Sequence, residues 1–129
     1  MQVVNLYINE RRVGIVTILD LKGRVRIGGT TALHEAIRCL VQEGKTHILL
    51  NLADVTHVDS MGLGELISSH VTLNANGGEL KLIHLTERLR DLMMITKLLT
   101  VFDVYDDESD ALASFTDRSL SVVEPQAVM

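Results

Sequence analysis

Tryptophan is absent from this chain and aromatic residues make up only 3% of it. That argues against a surface on which the bases of a single-stranded nucleic acid could stack. Positive charge is not in excess either: 12 Lys and Arg face 17 Asp and Glu, a net charge of −5. An acidic balance speaks against a general binder of nucleic acid or of anionic membranes. Cys39 is the single cysteine, which rules out an internal disulfide and fits a reducing compartment. No apolar run approaches the roughly 18 residues of a membrane span. The opening MQVVNLYINE lacks the basic-then-apolar pattern of a signal segment. A cytoplasmic location is expected.

Enzyme motifs are missing as well. There is no G-x-G-x-x-G, Walker loop, G-x-S-x-G or H-E-x-x-H. Gly28-Gly29-Thr30-Thr31 stands before a helical pattern, where free backbone N–H groups could hold a phosphate. A flexible loop with Thr caps is the plainer reading. His34, His47, His57, His70 and His84 are scattered without metal-ligand spacing. Cys39, between Arg38 and Leu40, reads as a buried or half-buried helical thiol rather than a nucleophile. Met93, Met94 and Ile95 read as core with some exposed apolar surface. Nothing assembles a nucleophile, a base and an oxyanion hole, so no enzyme, no cofactor and no metal are expected.

What is present is a patterned globular chain of 129 residues with 47% hydrophobic content, one domain by size and able to bury roughly two-thirds of its unfolded surface. VVNLYI (3–8) and VGIVTIL (13–19) are β-branched runs, and the polar Asn9-Glu10-Arg11-Arg12 between them reads as the turn of a hairpin. Leu33, Ala36, Ile37, Leu40 and Val41 recur at helical spacing, with Gly44 as a stop. HILLNL (47–52) is apolar almost throughout, as in a central strand. Leu63, Leu66, Ile67 and Val71 give a second helix, closed by Asn76-Gly77-Gly78. ELKLIHL (79–85) reads as a strand, Thr86 as the cap of a helix carrying Leu89, Leu92 and Met93, and VFDVY (101–105) as a short strand. Asp106-Asp107-Glu108 open a last helix with Ala111, Leu112 and Phe115. Residues 1–115 form the expected domain and 116–129 a loose tail. The order β-β-α-β-α-β-α-β-α predicts an α/β fold with a mixed sheet, largely parallel after its first hairpin.

One junction stands apart: DVTHVDSMGLG (54–64). Read locally, Ser60 caps a helix, a role worth roughly 1 kcal/mol, and Asp59 adds charge that suits the helix N-terminus. Gly62 and Gly64 in one turn are costly, at up to about 1 kcal/mol each relative to Ala. They suggest a backbone that something else approaches closely.

The run LLNLADVTHVDSMGLGEL resembles the signature of the STAS domain family, the anti-sigma factor antagonists. The similarity continues through NANGGELKL (74–82) and LLTVF (98–102). It implies four helices on a mixed sheet. It also implies that Ser60, directly after Asp59, corresponds to the serine phosphorylated by an anti-sigma factor that is itself a serine kinase. The unphosphorylated antagonist would bind that kinase and free a sigma factor, and a serine phosphatase would reset the cycle. The partner surface implied is Asp59, Ser60, Met61, Gly62, Leu63, Gly64 and Arg26, and a weak homodimer is left open. Two positions depart from the family pattern. Met61 stands where many relatives have a second Ser or Thr. Gly23-Arg24-Val25-Arg26 stands where G-x-L-D is common, so that Arg26 reverses the sign of an often acidic position. Two other readings are a STAS scaffold or regulatory module never cycled by phosphorylation, and a small enzyme or nucleotide binder using the Gly28-Gly29 loop.

Overall fold

The computed structural model describes residues 6–25 and 30–115. The proposed loop at Gly28-Gly29, the position of Arg26 and the proposed tail lie outside the described residues. Ten elements follow in order: β1 (Leu6–Val13), β2 (Val16–Val25), α1 (Thr30–Gln42), β3 (His47–Val58), α2 (Ser60–Ala75), β4 (Glu79–Ile83), α3 (Glu87–Ile95), a short 3-10 turn at Leu98–Thr100, β5 (Asp103–Tyr105) and α4 (Glu108–Ser114). The strands form one sheet in the order β1-β2-β3-β4-β5. β1 and β2 are antiparallel, and β2 through β5 run parallel. The predicted α/β class, element order and mixed sheet are what the chain adopts.

The hairpin is real but its turn is not where the polar run suggested. Asn9-Glu10-Arg11-Arg12 belongs to β1, with Arg11 opposite Ile18, and the strands close at Val13↔Val16 around Gly14-Ile15. Gly14 has φ +59, the backbone that favours glycine at the first position of a two-residue hairpin loop. β1 is the sheet's edge, so its polar side chains remain solvated, and polarity alone mimics a turn.

Neighbouring residues of a strand point to opposite faces, and the core divides accordingly. Leu19, Ile48, Leu50, Leu52 and Leu82 pack with Leu33, Ile37 and Leu40 of α1, Leu63, Leu66 and Leu73 of α2, and Leu89 and Met93 of α3. Val16, Ile18, Leu49 and Ile83 face the other way, against Ala111 and Phe115. Three helices therefore cover one face and α4 the other. Each fully buried Leu or Ile contributes roughly 1.5–3 kcal/mol relative to exposure. Two expectations fail in detail. Val71 is 58% exposed, and Leu73 takes its place in the core. Cys39 is exposed, because the buried stripe of α1 runs through Leu33, Ile37 and Leu40 and position 39 falls off it.

An ion-pair network fixes α4 to the sheet. Arg11 Nε lies 2.7 Å from Asp20 Oδ2 and Arg11 Nη2 lies 2.7 Å from Glu108 Oε1. Asn51 Nδ2 donates to Asp20 Oδ1 at 2.8 Å. The Arg11 hydrogen bonds outweigh partial burial and hold the Asp20 carboxyl at about 2, below its ordinary 3.8. They lower Glu108 as well.

Candidate functional site at the start of the second helix

β3 is twice as long as its apolar core suggested. It pairs with β4 only from His47↔Glu79 to Asn51↔Ile83. It then continues beside β2 alone, to Val25↔Val58. The stretch ADVTHV that follows the apolar run is thus strand as well, projecting beyond the end of β4. α2 begins two residues later.

Asp59, not Ser60, is the cap. Its backbone is extended (φ −98, ψ −176) and its Oδ1 accepts a hydrogen bond from the Gly62 N–H at 2.8 Å. Its carbonyl accepts the Leu63 N–H at 2.8 Å, closing the first helical turn. Asp and Ser are equally good caps, so a D-S pair leaves the boundary uncertain by one residue, and geometry decides it. Ser60 is the first helical residue, and it is exposed. Its side chain takes no part in the cap.

The other expected partner residues divide. Met61 is 57% exposed and Gly64 is exposed. Gly62 is buried and Leu63 belongs to the core, so these two support the site from beneath. A Cβ at Gly64 would meet nothing within 4 Å. No packing among the described residues therefore requires glycine there.

Sequence reasoning missed the groove beside this junction. A small cavity of about 80 Å³ is lined by Val55, Thr56, His57, Val58, Thr86, Arg88, Leu89 and Leu92. It opens into a wider groove of about 360 Å³ bordered by Arg24, Thr56, His57 and Arg88. Arg24 and His57 are register partners across β2 and β3, whereas Arg88 arrives from α3. Only the register could have brought these residues together, and it rests on two shifts between β2 and β3 that no sequence pattern announces.

Comparison with known proteins agrees with this architecture. The family model described as the STAS domain matches residues 7–111. The chain belongs to the STAS domain family. Among curated proteins, the Bacillus subtilis anti-sigma-B factor antagonist is 31% identical over 86 residues, covering 67% of this chain and 78% of its own length. The STAS chain thus falls by sequence with the anti-sigma factor antagonists. Two solved structures share the fold. An anti-sigma factor antagonist from Mycobacterium paratuberculosis has a TM-score of 0.77 at 21% identity, covering 88% of this chain and 96% of that one. The Bacillus cell fate determinant SpoIIAA in its phosphorylated form has a TM-score of 0.66 at 18% identity, covering 83% and 97%. Among the described residues of this STAS domain, no helix is long and apolar enough to cross a membrane.

Proposed function

We propose that this STAS domain is an anti-sigma factor antagonist that works by partner switching. With Ser60 unphosphorylated it binds an anti-sigma factor that is also a serine kinase. Phosphorylation of Ser60 by that kinase releases it, and a serine phosphatase restores the binding form. The observation that carries this reading is the exposed Ser60 at the first position of α2, outside the internal hydrogen bonding that Asp59 provides. The relative's name, anti-sigma-B factor antagonist, and a structural neighbour solved in a phosphorylated form support it.

The physics of the junction suits a switch that acts on binding and not on folding. A phosphate adds about −1.5 to −2 charges at pH 7. At a helix N-terminus the backbone dipoles favour that charge, which offsets repulsion from the neighbouring Asp59. In a closed interface without a cationic mate the same charge must be desolvated, at a cost of several kcal/mol. Since about 1.4 kcal/mol is tenfold in affinity, that cost is enough to separate the partners. Incubation with the cognate kinase and ATP, followed by intact-mass and peptide mapping, tests the proposal. One phosphate on Ser60 is expected. An unmodified chain in the presence of a kinase active on another antagonist would refute it and favour a module that is never phosphorylated.

A further inference from the structure

The arginines of this chain are not used alike. Arg11 binds Asp20 and Glu108, Arg38 binds Glu35, and Arg90 binds Asp106. Arg12 Nε donates to the Gly14 carbonyl. Arg24 and Arg88 have no hydrogen bond or ion pair to any described residue, and these two border the same groove, with His57 between them. All three are exposed. In a protein of net charge −5, this concavity is bordered by two guanidinium groups with no carboxylate partner among the described residues and by one imidazole, a lining that favours an anionic group.

The groove also has a floor and a wall. Val55, Val58, Leu89 and Leu92 line the adjoining 80 Å³ cavity. The wall is the last part of β3, which runs to Val58 although β4 leaves it after Asn51. Among the described residues no strand covers that edge. A strand edge without a pairing strand can offer main-chain donors and acceptors to another extended segment. Thr56 is fixed against β2, its Oγ1 donating to the Gly23 carbonyl at 3.1 Å, so the wall is held in place.

We propose that this groove receives an extended acidic segment of a partner protein. Carboxylates of the segment engage the Arg24 and Arg88 guanidinium groups in the two-pronged geometry that arginine favours, with His57 beside them. A short apolar side chain enters the cavity, and the main chain follows the edge of β3. A free inorganic anion would use the charges alone and gain nothing from the apolar floor or the strand edge. An acidic peptide uses all three. The groove's charges come from Arg24, His57 and Arg88, so the test uses the unphosphorylated chain and its outcome does not hang on the Ser60 proposal.

The test is an amide-resolved NMR titration of the full chain with three probes. These are a blocked peptide of about eight residues alternating Glu with Val and Thr, long enough to span the strand edge, its Lys-for-Glu counterpart, and inorganic phosphate. The Glu peptide is expected to move the amides of Val55 to Val58 and of Arg88 to Leu92, and to weaken as salt is raised. Arg24→Glu and Arg88→Glu should each lower its affinity about tenfold, while Arg12→Glu, on the distant hairpin, leaves it unchanged. Retained amide dispersion shows that each variant is folded, and either groove variant alone suffices. The Lys peptide and phosphate should leave these amides in place. The proposal is overturned if the Glu peptide moves none of them or if phosphate moves them equally. It also fails if Arg12→Glu weakens binding as much as the groove variants do, since net charge would then be the cause.

Discussion

Replacing Asp59 by alanine removes the one side-chain cap seen at the start of α2, and the structure allows its cost to be worked out. The bond lost is the 2.8 Å contact from the Gly62 N–H to Asp59 Oδ1, at a residue that is half-buried. Loss of such a cap costs about 1 kcal/mol, within a range of about 0.5–2. Unfolding entropies of about 2 cal/mol/K per residue turn 1 kcal/mol into a fall in Tm of roughly 4–5 °C for a domain of this size. Asp59→Asn keeps the acceptor oxygen and loses only the charge, which is worth about 0.3–1 kcal/mol at a helix N-terminus, so it should fall between wild type and Asp59→Ala. Ser60→Ala is the decisive control. Ser60 is exposed and already helical, so its replacement should stay within about 0.5 kcal/mol of wild type. Urea unfolding followed by circular dichroism gives all three values. Should Ser60→Ala lose as much stability as Asp59→Ala, Ser60 would be the cap, and the argument that its hydroxyl is free for modification would fail.

The two glycines closing and opening α2's surroundings should behave oppositely. A Cβ on Gly78 would clash with the Thr46 carbonyl oxygen, so Gly78→Ala should cost about 1–3 kcal/mol in the same unfolding assay. Gly64→Ala meets nothing within 4 Å and should stabilise α2 by up to about 1 kcal/mol. If the anti-sigma factor approaches the helix there, binding to it should nevertheless fall, a split that calorimetric titration would show. The Arg11 network makes an acid prediction. Asp20 is depressed to about 2 from 3.8, so its contribution is complete above the unfolded value and is lost as pH falls through the folded one. Stability should therefore decline between about pH 4 and pH 2, and Arg11→Ala should flatten that decline. Because Arg11 is more than one-third exposed, solvent screening limits the network to about 1 kcal/mol.

The sequence carried the fold where apolar periodicity is unambiguous. The stripe of α1, the run Ile48 to Leu50, the cap Thr86 and the acidic start of α4 follow from local chemistry. Legibility failed where a residue's role is set by something distant. Arg11 looks like turn polarity until Glu108, 97 residues away, is seen to bind it. The second half of β3 looks like a loop because its exposed positions, among them Thr56 and His57, are polar and only β2 accompanies it. The candidate site was legible as a motif at residues 59–64. Its division into a capping Asp59, an exposed Ser60 and a buried Leu63 required coordinates, since Asp and Ser compete for the same cap. The groove of Arg24, His57 and Arg88 was not legible, because strand register and helix placement are tertiary properties.

The central claim is that a single phosphate added at Ser60 ends partner binding while the domain stays folded. The most direct measurement takes the protein before and after phosphorylation by its cognate anti-sigma kinase, recording affinity for that kinase and the thermal unfolding midpoint on the same samples. A loss of affinity of a hundredfold or more, about 3 kcal/mol, with a midpoint shifted by only a few degrees, is the expected result. Unchanged affinity after stoichiometric modification of Ser60, or loss of binding that coincides with unfolding, would contradict it.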